Sequence, residues 1–354
     1  MTRVQRVNRF FLLLAAPVIG LMLCLLLFPP EPVLRLNTDS YKTDKSLHPS
    51  SAKLIRDLGA AEQKAKSTSD SLQKTLSLYN ETTRTMSSIV QKASIQAQRP
   101  EGIYDKRIRS KLGRPIETVD SGKIRIELFR VNAVTYNGYA MKVKLKDPAA
   151  MRMSLAGEAL GSSETTLRAV QRHGAVAGIN AGGFADQDGK RYPLSTTVVD
   201  GKYLTGFQSS FKDLYFVGLN ESGKLIGGKF NQQEQLDRLE PQFGASFVPI
   251  LLKDGRKMPI PSKWKAAPKR APRTIIGSYK DDQLIVFVID GYNEGGRSGA
   301  TLEEVQDQLH KIGVVNAYNL DGGGSSSLVM NGRVVNHPSD GTLRPVPTSF
   351  LFFD

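Results

Sequence analysis

The chain of 354 residues contains one cysteine, four histidines and one tryptophan. A single Cys excludes an internal disulfide framework and every thiolate-built zinc or iron–sulfur centre. Four scattered His leave little from which to build an imidazole metal site. Acidic residues are also short relative to basic ones, 34 against 48, for a formal charge of +14. That excess alone would suit a nucleic-acid binder, but its distribution argues otherwise. Residues 1–30 carry +3, residues 31–115 carry +7, and residues 116–354 only +4. A nucleic-acid-binding domain carries its basic face on itself, whereas here the largest region is nearly balanced. No zinc-finger spacing, basic zipper array or arginine-rich motif is present, so no nucleic-acid partner is expected.

Charge is absent altogether from Phe10 to Phe28, a run of 19 residues. As a helix it would be about 28 Å long, against a hydrocarbon core of roughly 30 Å. Arg3, Arg6 and Arg9 precede it, so the amino end is expected to stay cytoplasmic and residues 31–354 to lie outside. The exit sequence Leu-Leu-Leu-Phe-Pro-Pro is a poor cleavage site, which favours a retained anchor over a removed leader. Cys24 falls inside this run and reads as a membrane-buried side chain. Residues 31–50 are polar and Pro-bearing, a linker. Between Ser51 and about Gln98 there is no Pro, and apolar or small residues recur three and four apart at Leu54, Leu58, Ala61, Ala65, Thr68 and Leu72, then at Leu76, Tyr79, Thr83, Met86 and Val90. This is a helical stalk with a weak coiled-coil-type stripe, through which self-association is conceivable.

After Pro115 the period changes. Lys123–Phe129 and Tyr139–Leu145 alternate in strand fashion. Further strands are expected at 196–199, 214–219, 247–252, 274–278, 284–289, 314–319, 327–330 and 349–353. Helices are expected at 163–172 and 301–312, the second opened by the capping-box pair Thr301 and Glu304. The expected division is an anchor with its cytoplasmic tail at 1–30, linker and stalk at 31–115, and one domain at 116–354. The domain's fold class is mixed α/β (α+β), rich in strands.

Four segments carry chemistry. In Gly178-Ile-Asn-Ala-Gly-Gly-Phe184 a hydrophobic strand ends in Asn180, Gly182 and Gly183, where an amide meets backbone that a ligand can approach closely. In Ala271-Pro-Arg-Thr-Ile-Ile-Gly277, Arg273 stands at a strand entrance with a guanidinium fork suited to phosphate. Leu284–Asp290 is a buried-type strand delivering Asp290 to a Gly-rich loop that ends at Gly299, with Glu304 on the helix beyond. Two carboxylates on rigid elements suit general acid/base work on a glycosidic bond, although Glu304 also fits a helix cap. In Asn319-Leu-Asp-Gly-Gly-Gly-Ser-Ser326, a strand leads Asn319 and Asp321 into Gly322, Gly323, Gly324, Ser325 and Ser326. Such a loop can form an anion nest. It lacks the Gly-Lys-Ser/Thr ending of a nucleotide phosphate loop and the Gly-x-Ser-x-Gly of a serine hydrolase elbow. A metal shared by Asp321 with Asp290 or Asn319 would be an oxygen-ligated ion, Ca²⁺ or Mg²⁺ rather than zinc.

These blocks, in this order, resemble the phosphodiester glycosidase family over about residues 124–353. The matching pieces are 178–184, 271–277, 288–291, 301–309 and, most specifically, 313–350. Ala181, Ala185 and Asp186 depart from the residues common in the family's Asn-Gly-Gly-Phe element. The resemblance implies an enzyme, a glycoside hydrolase that splits sugar-1-phosphodiesters into free sugar and phosphomonoester. It implies a site gathering Asn180, Arg273, Asp290, Glu304, Asp321, the 322–324 glycines and Ser325, with His337 and Arg344 in the same cleft. Arg273 and the glycine loop would hold phosphate, and Asp290, Glu304 or Asp321 would move the proton. The expected setting is a bacterial cell membrane with the domain extracellular, acting on envelope or exopolysaccharide glycans. The alternative is a glycan-binding or envelope-scaffold protein of the same fold without turnover.

Overall fold

A computed structural model describes residues 15–24, 26–27, 48–211, 213–291 and 299–354. Residues 15–24 and 26–27 are helical. The rest of the 10–28 run, most of the 31–50 linker and residues 292–298 of the Gly-rich loop lie outside the described residues. Among the described residues, no helix is long and apolar enough to cross a membrane. The chain forms two compact units, Met1–Val90 and Gln91–Asp354.

In the first unit the expected stalk is helical. It belongs to α1 (His48–Leu112), which runs past the expected end near Gln98. Leu54, Leu58, Leu72, Leu76, Tyr79, Met86 and Val90 are all exposed among the described residues.

In the second unit the last turns of α1 are part of the domain. Ile108 is buried, and Tyr104 and Leu112 pack against the same hydrophobic cluster. The contact is also ionic. Lys142 and Glu127, each 2% exposed, pair at 2.9 Å. Lys142 also pairs with Asp105, and Arg109 reaches Glu127 at 2.8 Å. Buried charges are tolerable only when paired in this way.

Three sheets build the domain. The largest has eight strands in the order β1 (Glu117–Asp120), β2 (Ile124–Asn132), β3 (Asn137–Leu145), β16 (Leu284–Ile289), β15 (Arg273–Ser278), β17 (Asn316–Asn319), β13 (Ile250–Lys253) and β14 (Arg256–Lys257). A five-stranded sheet follows the order β19 (Arg333–Val334), β18 (Leu328–Met330), β5 (Ala177–Asn180), β20 (Thr348–Phe352) and β4 (Met151–Leu155). A second five-stranded sheet follows the order β11 (Leu225–Gly228), β10 (Tyr215–Asn220), β12 (Pro241–Phe247), β8 (Val198–Val199) and β9 (Lys202–Tyr203). The hairpin β6 (Phe184–Gln187) and β7 (Lys190–Pro193) stands apart.

Period-2 patterning sets the layers. Leu284, Val286 and Val288 of β16 face the main core with Ile179, Phe350 and Met153 of the second sheet. Ile285, Phe287 and Ile289 face the other way, onto Leu302, Val305 and Leu309 of α3 (Leu302–Ile312). A strand covered on both faces must be apolar throughout, which is why Leu284–Ile289 contains no polar residue. α2 (Thr166–His173) covers the far side of the second sheet through Ala169 and Val170. Strand-rich α+β architecture is therefore observed. The expected 247–252 strand is split, because β12 ends at Phe247 and β13 begins at Ile250. Pro249 lies between them, and it has no N–H to give to a ladder.

Candidate active site

All pairings along β3–β16–β15–β17 are antiparallel, so β16 and β17 end at the same edge of the large sheet. Asp290 follows β16 and Asp321 lies just past β17, two strands apart, so their backbones stand roughly 10 Å from one another by ladder spacing. The same edge holds the end of β2 and the start of β3, with Ile289 opposite Gly138 and Arg130 opposite Tyr139.

Asp290 is buried. Its Oδ1 accepts the His337 backbone N–H at 2.8 Å, and its Oδ2 lies 3.5 Å from His337 Nδ1. The His337 side chain is 81% exposed, so the carboxylate holds the inner face of an imidazole that looks outward. Burial pushes the Asp290 carboxyl above its ordinary value of 3.8, against the opposing pull of His337 and Arg130. Asp290 and His337 line a cleft of about 190 Å³ with Arg130, Asn132, Asn137 and Tyr139. A larger cleft of about 520 Å³, bounded by Arg152, Asp200, Glu221 and Gln242, contains none of the residues expected from sequence.

Asp321 is the second carboxyl pushed upward by burial. The Gly322 N–H and the charges of Arg344 and Arg191 oppose that push. Its backbone is clamped by the end of β5: Asn180 Nδ2 donates to the Asp321 carbonyl at 2.6 Å, and the Asp321 N–H donates to Ala181 at 3.1 Å. The Asn180 Oδ1 accepts from Thr274 Oγ1 at 2.8 Å and from the Ser327 N–H at 3.1 Å. Asn180 is fully buried. It positions the carboxylate loop rather than presenting its amide to a ligand.

In the Asp321–Ser326 loop the N–H groups of Gly322, Gly323, Ser325 and Ser326 bond within the protein. The Gly322 N–H bonds the Asp321 carboxylate and the Gly323 N–H bonds the Pro272 carbonyl. The N–H groups of Ser325 and Ser326 close a tight turn onto Gly322 and Gly323. The glycines serve close packing. A Cβ on Gly322 would lie 2.8 Å from the Pro272 carbonyl, and one on Gly324 would lie 2.1 Å from Arg344 Nη2. Arg344 therefore rests on Gly324, paired at 2.7 Å with Asp340. Gly182 and Gly183 likewise abut Ala245 and Phe247 of β12. Ser326 Oγ and Asn319 Oδ1 are buried without a hydrogen-bond partner, while Asn319 Nδ2 holds the Val248 carbonyl at 2.6 Å.

Two expected residues have other duties. Arg273 is buried and gives its guanidinium to the carbonyls of Ala300 and Pro268 at 3.2 and 3.0 Å. It braces the start of β15 and does not offer a fork to phosphate. Glu304 accepts the Thr301 N–H at 2.9 Å, completing the capping box, and pairs with Arg270 at 2.8 Å and Thr135 at 2.8 Å. Burial pushes its carboxyl up, but those hydrogen bonds outweigh it and hold the group below its ordinary range. A carboxylate so engaged is a poor acid or base, and Glu304 is a cap and cross-link. Among the described residues, no three His, Cys, Asp or Glu side chains gather where they could hold a metal.

The 337–344 segment joins the two carboxylates. His337 sits on Asp290, Ser339 flanks Gly291, and Asp340 with Arg344 covers Gly324. Pro272 fills the space between Gly291 and Gly322. Sequence reading missed Arg130, Asn132, Asn137 and Tyr139, which come from an ordinary alternating hairpin with no local signature. It also missed Arg191, whose guanidinium stacks 4.7 Å from the Phe184 ring centroid and acts on Asp321.

Asp290 and Asp321, both pushed upward by burial, stand at one edge of the large sheet in a multi-sheet α+β domain. The family model described as phosphodiester glycosidase matches residues 173–353. The chain belongs to the phosphodiester glycosidase family. It is 31% identical over 161 residues to N-acetylglucosamine-1-phosphodiester alpha-N-acetylglucosaminidase of Mus musculus, covering 42% of this chain and 30% of that protein. The Homo sapiens counterpart is 34% identical over 137 residues, 35% of this chain and 26% of that protein. The chain thus spans less than a third of the length of these curated relatives. The catalytic domain of the zebrafish enzyme, solved auto-inhibited by its pro-peptide, matches with a TM-score of 0.57 at 23% identity, over 67% of this chain and 88% of that one. At that identity the likeness concerns the fold.

The assignment of Glu304 is testable. Glu304→Gln keeps the side chain's shape but weakens its charge-assisted bonds to Arg270 and the cap. It is expected to lower stability by about 1–2 kcal/mol in thermal unfolding while leaving turnover within about threefold. A loss of kcat without a loss of stability would return Glu304 to the reacting set.

Proposed function

We propose that the chain is a membrane-anchored hydrolase that splits sugar-1-phosphodiester linkages in cell-envelope or exopolysaccharide glycans of a bacterium. The observation that carries the reading is Asp290. It is a carboxyl raised by burial, facing a cleft, with one oxygen on the His337 N–H and the other beside its ring. Family membership supports the reaction class.

Water adds to the anomeric carbon as the C1–O bond to phosphate breaks. The sugar gains the hydroxyl, and the phosphate leaves with the bridging oxygen as a monoester. A phosphate is a good leaving group, so the step calls chiefly for a base that takes the water proton. Asp290 is suited to that role once ionised, because its raised pKa brings it closer to working pH. His337, exposed beside it, passes the proton onward. Asp321 is the second carboxyl, positioned at the same edge by Asn180.

The full-length chain in detergent is expected to release reducing sugar and phosphomonoester from a sugar-1-phosphodiester. Because Asp290 must be ionised, activity falls as pH drops through its raised pKa, so the acid limb of kcat/KM lies above 3.8, the ordinary value. Asp290→Asn removes that limb together with about 10²–10⁴ of the rate. Glycan binding without sugar release, unchanged in Asp290→Asn and Asp321→Asn, would instead favour the non-catalytic reading that Ala181, Ala185 and Asp186 suggest.

Anchoring rests on the uncharged 10–28 run behind three arginines. The protein in bacterial membranes is expected to resist alkaline carbonate extraction and to expose its carboxyl-terminal domain to protease on the outer side. Release into the soluble fraction would remove the anchor from the account. The exposed α1 stripe offers a surface for self-association in the same setting.

A further inference from the structure

The expected phosphate holders are engaged elsewhere. Arg273 is buried on backbone carbonyls, and the N–H groups of Gly322 and Gly323 bond within the protein. Of the other cations near the two carboxyls, Arg344 pairs with Asp340 and Arg191 with Asp186. Arg130 differs. Its guanidinium lies 5.9 Å from the Tyr139 ring centroid, and among the described residues it makes no hydrogen bond or ion pair. It lines the cleft with Asp290 and His337, and its side chain is exposed there.

We propose that Arg130 is the residue that binds the substrate's phosphate, and that it makes the cleft selective for anionic phosphodiesters over neutral glycosides. This rests on the phosphodiester reading above and names the recognition element of the same site. The β2–β3 hairpin places Arg130 opposite Tyr139 in register, and the Tyr139 ring gives the guanidinium a flat surface that limits its orientations. A planar fork held on a ring meets the two non-bridging oxygens of a phosphodiester through two parallel hydrogen bonds, which a lysine ammonium cannot reproduce. The charges are also complementary in place. Asp290 lies across the same cleft, so an anion seated on Arg130 directs its sugar side, not its phosphate, towards the carboxylate. Asn132 and Asn137 line the same cleft.

The reaction adds a second reason. A phosphodiester carries one negative charge, and the departing monoester carries close to two. A cation on the phosphate therefore binds the leaving group more strongly than the substrate. Such an interaction raises kcat as well as lowering KM. A residue that merely shaped the hairpin would not show this dependence on substrate charge.

The test uses the full-length chain as wild type, Arg130→Met and Arg130→Lys. Each is assayed for turnover of a sugar-1-phosphodiester and titrated calorimetrically with methyl phosphate as a monoester probe. Arg130→Met is expected to lose about 10- to 100-fold in kcat/KM and a similar factor in methyl phosphate affinity. Arg130→Lys is expected to recover part of the affinity but not the wild-type kcat. Because the side chain is exposed, unfolding temperatures should match, and a matched melt accompanies each value. Wild-type turnover that Arg130→Met leaves intact would overturn the assignment while the phosphodiester reading stands. Arg130-dependent methyl phosphate binding without turnover would sustain the assignment and remove the catalytic reading. Neither turnover nor methyl phosphate binding in the wild type would remove both.

Discussion

One buried amide holds the reactive edge together. Asn180 ends β5 in the second sheet, yet its side chain bonds Thr274 of the first sheet, the Ser327 N–H, and the carbonyl of Asp321. It is fully buried, so none of these bonds competes with water. Hydrophobic contact between the two sheets is non-directional, so their offset is fixed by such bonds, to which the Asp321 N–H adds one more onto the Ala181 carbonyl. With these bonds, the strand that carries Asp321 has one position relative to β5. Asp290 inherits that placement through Pro272, which fits between Gly291 and Gly322.

The two carboxyls share one physical condition, since burial raises both. A buried carboxylate is held at a cost in free energy; Glu127 offsets that cost with Lys142 and Arg109, whereas Asp290, raised by burial beside a cleft, is a candidate for chemistry. The surrounding cations divide into those that build and those that face solvent. Arg273 and Arg270 stitch strand starts and helix caps to backbone and carboxylate, whereas Arg130 is left facing the cleft. The neutral-looking charge balance of residues 116–354 therefore conceals a local arrangement, in which most cations already have partners.

Much of this was readable from the chain. Leu284–Ile289 announced a strand buried on both faces, and Thr301 with Glu304 announced the start of α3, because both depend on neighbours in sequence. The glycine blocks 178–184 and 319–326 follow the ends of β5 and β17, where their glycines pack closely against Ala245, Phe247, Pro272 and Arg344. What stayed hidden depends on neighbours in space. Glu304 shows as a cross-link only when Arg270 and Thr135 are brought to it. Arg130 looks like any outward residue of an alternating strand until the β2–β3 register sets it on Tyr139 and the sheet order sets both beside Asp290. The β6–β7 hairpin, with its sequence of Phe184-Ala-Asp-Gln and Lys-Arg-Tyr-Pro193, has no apolar alternation to betray it.

The central claim is that the cleft at the end of β16 is where the sugar–phosphate bond is broken, with Asp290 at the anomeric carbon. A crystal structure of the protein with a non-hydrolysable sugar-1-phosphonate tests it most directly. The account predicts the ligand in the cleft of Arg130, Tyr139, Asp290 and His337, with an Asp290 oxygen, directly or through one water, in hydrogen-bond reach of the anomeric centre. A ligand seated instead in the larger cleft beside Arg152 and Gln242, with the Asp290 cleft empty, would contradict it.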